Sequence, residues 1–145
     1  MTTFMLNKVK IIQKIKELNF SPKQYLVFSG GSLAAHGIRE TSDVDMVVTP
    51  ELFSKLKETD EWKCTTKNGD KEYLSRGDVE MASKLEWDDY PVTLTEAKQR
   101  EDIIESIPFM SLNDVIHFKQ AMNRPKDFAD IALIKNYLQA NKLES

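Results

Sequence analysis

Leu26-Val27-Phe28-Ser29-Gly30-Gly31-Ser32, followed after an intervening segment by Asp43-Val44-Asp45-Met46-Val47-Val48, is the stretch whose reading decides the fold. Tyr25 to Phe28 is a short apolar run bounded by Ser21-Pro22 on one side and Gly30-Gly31 on the other, so it predicts a buried strand ending in a turn. Ser32 to Gly37 predicts a brief helix with a glycine stop. Asp43 to Val48 predicts a second strand, closed by Thr49-Pro50. Glycines at the first strand's exit let the backbone turn sharply and approach a ligand where a Cβ would interfere. The N–H groups at the start of the following helix suit a phosphate, and Ser32 can add a hydroxyl.

Side chains alternate along a strand, so Asp43 and Asp45 share one face while Val44, Met46 and Val48 share the other. Two carboxylates on one face repel unless a cation lies between them. A pair of Mg²⁺ ions roughly 3.5–4 Å apart would satisfy both and clamp a triphosphate. An Asp-x-Asp pair alone is commonly a solvated strand end, and Gly-Gly alone is commonly a turn. The order strand, Gly-Gly-Ser, helix, Asp-x-Asp carries far more weight than either part.

Outward from this centre, Ile11, Ile15 and Leu18 recur at helical spacing with Val9 and Ile12 beside them, which predicts an amphipathic N-terminal helix. Thr49 is an N-cap with Pro50 at the first helical position, for a helix to about Lys57. Three β-type runs follow, Trp62 to Thr66, Glu72 to Ser75 and Asp78 to Leu85. The turn signals Asn68-Gly69-Asp70 and Arg76-Gly77-Asp78 separate them, which predicts antiparallel hairpins. Thr93 to Arg100 reads as a helix and Ile103 to Phe109 as an edge strand. Ser111 caps a helix to about Met122, and Pro125 starts a last helix carrying Phe128, Ile131, Ile134 and Leu138. The expectation is one α/β (α+β) domain over 1–145. Its core is a short mixed sheet flanked by helices over about 20–110, and a C-terminal helical pair covers about 111–141.

The bulk numbers agree with a single globular domain. The chain has 145 residues, 41% hydrophobic and 30% charged, with a net charge of -3, a balance that disfavours non-specific binding to nucleic acid. No apolar stretch reaches membrane-span length. The N-terminal lysines alternate with isoleucines, unlike a signal peptide, so the expected location is cytoplasmic. Cys64, the single cysteine, excludes an internal disulfide and reads as a small half-buried strand residue.

The quoted stretch, with His36-Gly37-Ile38-Arg39 and Thr41-Ser42-Asp43-Val44-Asp45, resembles the signature of the nucleotidyltransferase superfamily of DNA polymerase β-like fold. The likeness is to small bacterial members: antibiotic nucleotidyltransferases, abortive-infection-type toxins and minimal nucleotidyltransferase antitoxins. Ser111-Leu112 through Lys119 to Arg124-Pro125-Lys126-Asp127 and Asp130-Ile131 resembles their helical tail. Residues 55 to 100 match only in general pattern.

The resemblance implies transfer of a nucleoside monophosphate from a nucleoside triphosphate to a hydroxyl, with release of pyrophosphate. Asp43 and Asp45 would hold two Mg²⁺, and Gly30, Gly31 and Ser32 would hold the β- and γ-phosphates. The family's third carboxylate falls on Glu80 within Val79-Glu80-Met81, where Asp is more usual. A solvent-facing Glu80, or Asp78 on the same face, are the alternatives. Lys119 is either a phosphate contact, with Arg124 and Lys126 in a basic cluster, or a snorkelling lysine on the apolar face of its helix.

Asp127 and Asp130 read as helix-start charges and ion-pair partners. Arg39 reads as a brace for the turn. His36 and His117 read as structural or surface residues, and Trp62, Trp87, Phe28, Phe109 and Phe118 as core or pocket walls. The acceptor class stays open among small molecule, protein and RNA, and a homodimer or a protein partner could complete its site. Two rival functions carry over: a toxin–antitoxin or phage-defence partner protein of the same fold, and a nucleotide-binding module without turnover.

Overall fold

Capping residues set most of the element boundaries. In the computed structural model, which describes residues 5–67 and 69–144, α1 spans Lys8–Leu18. The Asn7 side chain accepts from the Lys10 N–H at its start, and Asn19, in the left-handed region, closes its end. The helix buries Ile11, Ile12 and Ile15, but leaves Val9 72% exposed. A 3-10 turn over Pro22–Gln24 leads into β1, Tyr25–Phe28, and α2 follows at once over Gly30–Ala35. β2 is Val44–Val48, and α3, Pro50–Lys57, is capped by the Thr49 hydroxyl.

The middle of the chain is a meander of β3, Lys63–Lys67, β4, Lys71–Arg76, and β5, Val79–Ala82. Gly69 and Gly77 take positive φ in its two turns. Asn68, expected in the first of them, lies outside the described residues. Thr93 and Glu96 form a reciprocal capping box at α4, Leu94–Lys98. β6, Asp102–Ile104, and β7, Ile107–Phe109, come next. The chain ends with α5, Leu112–Met122, capped by Ser111, and α6, Pro125–Glu144.

One seven-stranded mixed sheet runs in the order β3-β4-β5-β2-β1-β7-β6. β1 is antiparallel to β2 and parallel to β7, while β2 is parallel to β5. Alternation divides each strand between two cores. Val27, Val44, Met46, Val48, Val79 and Met81 pack with Ile11 and Ile15 of α1 and with Leu52 and Phe53 of α3. Leu26 and Val47 pack with Val115 and Phe118 of α5 and with Ile131 and Ile134 of α6. The architecture is therefore α+β, with the C-terminal pair α5 and α6 on the second face.

Four expectations need correction. Residues 103 to 109 form a hairpin rather than one edge strand. Glu105 and Ser106 turn it at φ 48° and 71°, and without glycine there the sequence carries no turn signal. Cys64 is exposed, because β3 is an edge strand of the sheet and its residues alternate between largely open faces. Phe128 is 54% exposed. Asp127 and Asp130, with Ile131 and Ile134, occupy the inward face of α6 instead. Finally, Asp78 does not share the face of Glu80, since it precedes β5 and its carboxylate pairs with Lys14 of α1 at 2.7 Å, on the opposite layer.

Candidate functional site

The strand register assembles the site. Phe28, the last residue of β1, stands opposite Asp45 in β2, and Asp45 stands beside Glu80 in β5. Phe28, Asp45 and Glu80 thus form a row across three adjacent strands, roughly 4.8 Å apart per strand, on the face covered by α5 and α6. Asp43 lies in the bend just before β2, where its backbone carbonyl accepts from the Thr41 hydroxyl at 3.2 Å.

Asp45 carries the electrostatic cost of this row. Burial pushes its carboxyl up, and the neighbouring negative charges of Asp43 and Glu80 push it further, from an ordinary 3.8 to about 6. Lys67 and Lys119 offset part of that rise. Lys67, the last residue of β3, reaches across the Tyr73 ring, 4.7 Å from its centroid, and its ammonium pairs with Glu80 at 2.9 Å.

The glycine turn differs from the expectation in its physical cause. Neither Gly30 nor Gly31 has positive φ. The unusual backbone belongs to Ser29, at φ 57° and ψ -128°. A Cβ on Gly30 would come within 2.5 Å of the Thr41 hydroxyl, and one on Gly31 within 2.6 Å of a Val27 methyl. Both glycines are therefore required by contact of α2 with the protein's own interior. Ser32 is fully buried, and its hydroxyl donates to the Val27 carbonyl at 3.3 Å. That bond ties α2 back onto β1.

Lys119 does not snorkel. It is 3% exposed, and its ammonium lies 2.9 Å from Asp130 and 3.4 Å from Asp127, both buried. Arg39 grips both oxygens of Asp130 at 2.7 and 2.8 Å, and Arg124 grips both oxygens of Asp127 at 2.7 and 3.2 Å. Burial alone would raise both aspartates. The hydrogen bonds from Arg124 to Asp127, and from Arg39 and Lys119 to Asp130, hold each below the usual carboxylate range. Arg39 thus braces the loop between α2 and β2 against α6, while Lys126 lies exposed outside this cluster. The network borders the carboxylate row closely enough that Asp43 raises Arg39 and Asp45 raises Arg124, each beyond the larger effect of its own aspartate partner.

No family model, no curated protein and no solved structure matches this chain. The site is thus read from its own chemistry.

Beside the row opens a cleft of about 1080 Å³. Phe28, Tyr73, Ala82, Trp87 and Phe118 line it, with Lys71, Lys84, Glu86, Asp88 and Asp89 among its polar residues. Phe28 and Phe118 meet edge to face at 5.4 Å, and Tyr90 meets Phe118 likewise at 5.2 Å. Of the expected aromatic walls, Phe28, Trp87 and Phe118 serve the cleft, while Trp62 and Phe109 serve the core. His36 is structural, with Nδ1 2.7 Å from the Ser32 carbonyl oxygen and Nε2 3.3 Å from Asp102; His117 is exposed.

As the side chains stand, no group of three or more His, Cys, Asp or Glu residues is gathered to hold a metal ion among the described residues. Among those residues, too, no helix is long and apolar enough to cross a membrane. Sequence reasoning had no means of finding Ser29 or Lys67. A serine gives no sign of positive φ, and Lys67 belongs to the site only through a side chain that reaches across β4 to β5.

Proposed function

We propose that the chain is a metal-dependent nucleotidyltransferase of the DNA polymerase β-like fold, transferring a nucleoside monophosphate from a triphosphate to a hydroxyl acceptor. The observation that carries this reading is the register placing Asp45 beside Glu80, with Asp43 just ahead of β2. The donor chemistry suits Mg²⁺, although the three carboxylates are not drawn together as the side chains stand. The donors are hard carboxylate oxygens, and Asp45, raised to about 6 by burial and by its acidic neighbours, marks a point where a cation would relieve the row. When bound, such ions neutralise the phosphates and polarise the bond that breaks.

The protein's own residues supply the rest. Asp43, Asp45 and Glu80 would hold the metal, and Glu80 would accept the acceptor hydroxyl's proton. Gly30, Gly31 and Ser32 form the start of α2, where the backbone N–H groups of the two glycines would serve the β- and γ-phosphates. Lys119 acts as a positioning residue: fixed between Asp127 and Asp130, it lowers the charge burden on Asp45. The aromatic cleft offers stacking surfaces for the nucleobase or the acceptor. Catalysis in such a site rests on positioning and charge neutralisation.

The test is incubation of the purified protein with each α-labelled nucleoside triphosphate and Mg²⁺, alone and with cell lysate. A labelled product is expected from the wild type. Asp45→Asn should abolish it, and Glu80→Gln should slow single-turnover transfer by roughly 10²–10⁴-fold, as for loss of a general base. Asp78→Asn, on the opposite layer, should be mild. No product with any triphosphate would overturn the enzymatic reading. Metal-dependent binding without product would leave a nucleotide-binding module, and a co-purifying protein bound at the cleft would favour the partner-protein reading.

A further inference from the structure

Two lysines reach Asp45 with their fields, and they are built differently. Lys119 is almost wholly buried and locked between two aspartates. Lys67 ends the edge strand β3, its side chain is 48% exposed, and its ion pair is with Glu80, itself 35% exposed. An ion pair so open to water is weak and readily exchanged. Lysine suits exchange, being a compact charge on a flexible stem. The Lys67 ammonium also lies over Tyr73, a wall of the aromatic cleft, so it sits at the boundary between the carboxylate row and that cleft.

We propose that Lys67 is a tethered counter-ion: it holds Glu80 until a divalent cation displaces it, and the freed ammonium then serves the cleft mouth as a contact for an anionic group. The inference rests on the metal site proposed above and adds to it a regulating residue from outside the three carboxylates. Its logic is an exchange of charge. Without a divalent cation, Lys67 stabilises a row of like charges. With one, the ammonium and the metal compete for the same Glu80 oxygen, and the lysine must leave. The ammonium already lies over the Tyr73 ring at the cleft wall, so the displaced charge remains within reach of a phosphate entering the cleft.

The test uses the full chain and two probes, Mn²⁺ and inorganic tripolyphosphate, each followed by calorimetry. Lys67→Met keeps the apolar stem and removes the charge. It should bind Mn²⁺ about threefold to tenfold more tightly than the wild type, the range expected for loss of a weak competing ion pair, with the difference shrinking at high salt. With Mn²⁺ saturating, the same variant should bind tripolyphosphate more weakly than the wild type, and Lys67→Arg should restore much of that affinity. A merely structural role would not move the two affinities in opposite directions. Unchanged or weaker Mn²⁺ binding by Lys67→Met, at a site that Asp45→Asn abolishes, overturns the inference and leaves the metal site standing. Wild-type protein that binds no Mn²⁺, or binds it equally well after Asp45→Asn, overturns both.

Discussion

Replacing Asp45 by Asn should stabilise the metal-free protein, and only above a defined pH. Burial together with Asp43 and Glu80 raises the Asp45 carboxyl from 3.8 to about 6 in the folded chain. In the unfolded chain it titrates at its ordinary value. Between these two values the folded state binds more protons, so stability falls as pH rises through that window. The contribution of Asp45 is fully present below about pH 4 and is lost as pH passes about 6. A rise of about two pKa units corresponds to about 3 kcal/mol, which is a ceiling, because water and side-chain relaxation soften the field. Asn has nearly the same shape and no charge to penalise. Asp45→Asn should therefore gain about 1–3 kcal/mol at pH 7.5, or several degrees in Tm, and nothing below about pH 4. Urea denaturation at half-unit pH steps, in chelator, would trace the curve. An Asn variant less stable at pH 7.5, or one whose gain does not depend on pH, would refute the claim that Asp45 sits in a surplus of negative charge.

The ion network and the glycine turn give two further tests. Lys119→Met keeps the buried stem but leaves Asp127 and Asp130 with only Arg124 and Arg39, so it should cost about 3 kcal/mol, near the lower end for breaking a buried pair; a loss under about 1 kcal/mol in chemical denaturation would show the arginines suffice. Gly31→Ala would bring a Cβ to 2.6 Å from the buried Val27 side chain and should cost about 1–3 kcal/mol by overpacking, whereas unchanged stability would mean that α2 can slide on β1.

What the sequence reveals of this protein depends on how local the determining interaction is. The strand Tyr25–Phe28, the cap at Thr49 with Pro50 behind it, and the starts of α5 and α6 at Ser111 and Pro125 follow from neighbours within four residues. The alternation of Asp45 against Val44 and Met46 is equally local, and it placed the carboxylate on its correct face. The β6–β7 hairpin was hidden because its turn uses Glu105 and Ser106, residues with no preference for positive φ. The glycines were legible as special but not for the right reason. The atoms they avoid belong to Thr41 and Val27, and only the packed fold brings those close.

The charges show the same division more sharply. Arg39 and Asp130 are 91 residues apart in the chain and 2.7 Å apart in space. Lys119, which an amphipathic-helix reading sends to the surface, is held inside by aspartates from the next helix. A helix pattern weighs each lysine against water, whereas the folded chain weighs it against carboxylates already buried. Once Asp127 and Asp130 are committed to the interior, removing Lys119 from them costs more than keeping its ammonium from solvent. That commitment matters for the site, because the same buried cation lies near enough to ease the charge on Asp45. The C-terminal pair of helices therefore does more than cover the sheet: its buried lysine offsets part of the charge that the carboxylate row carries.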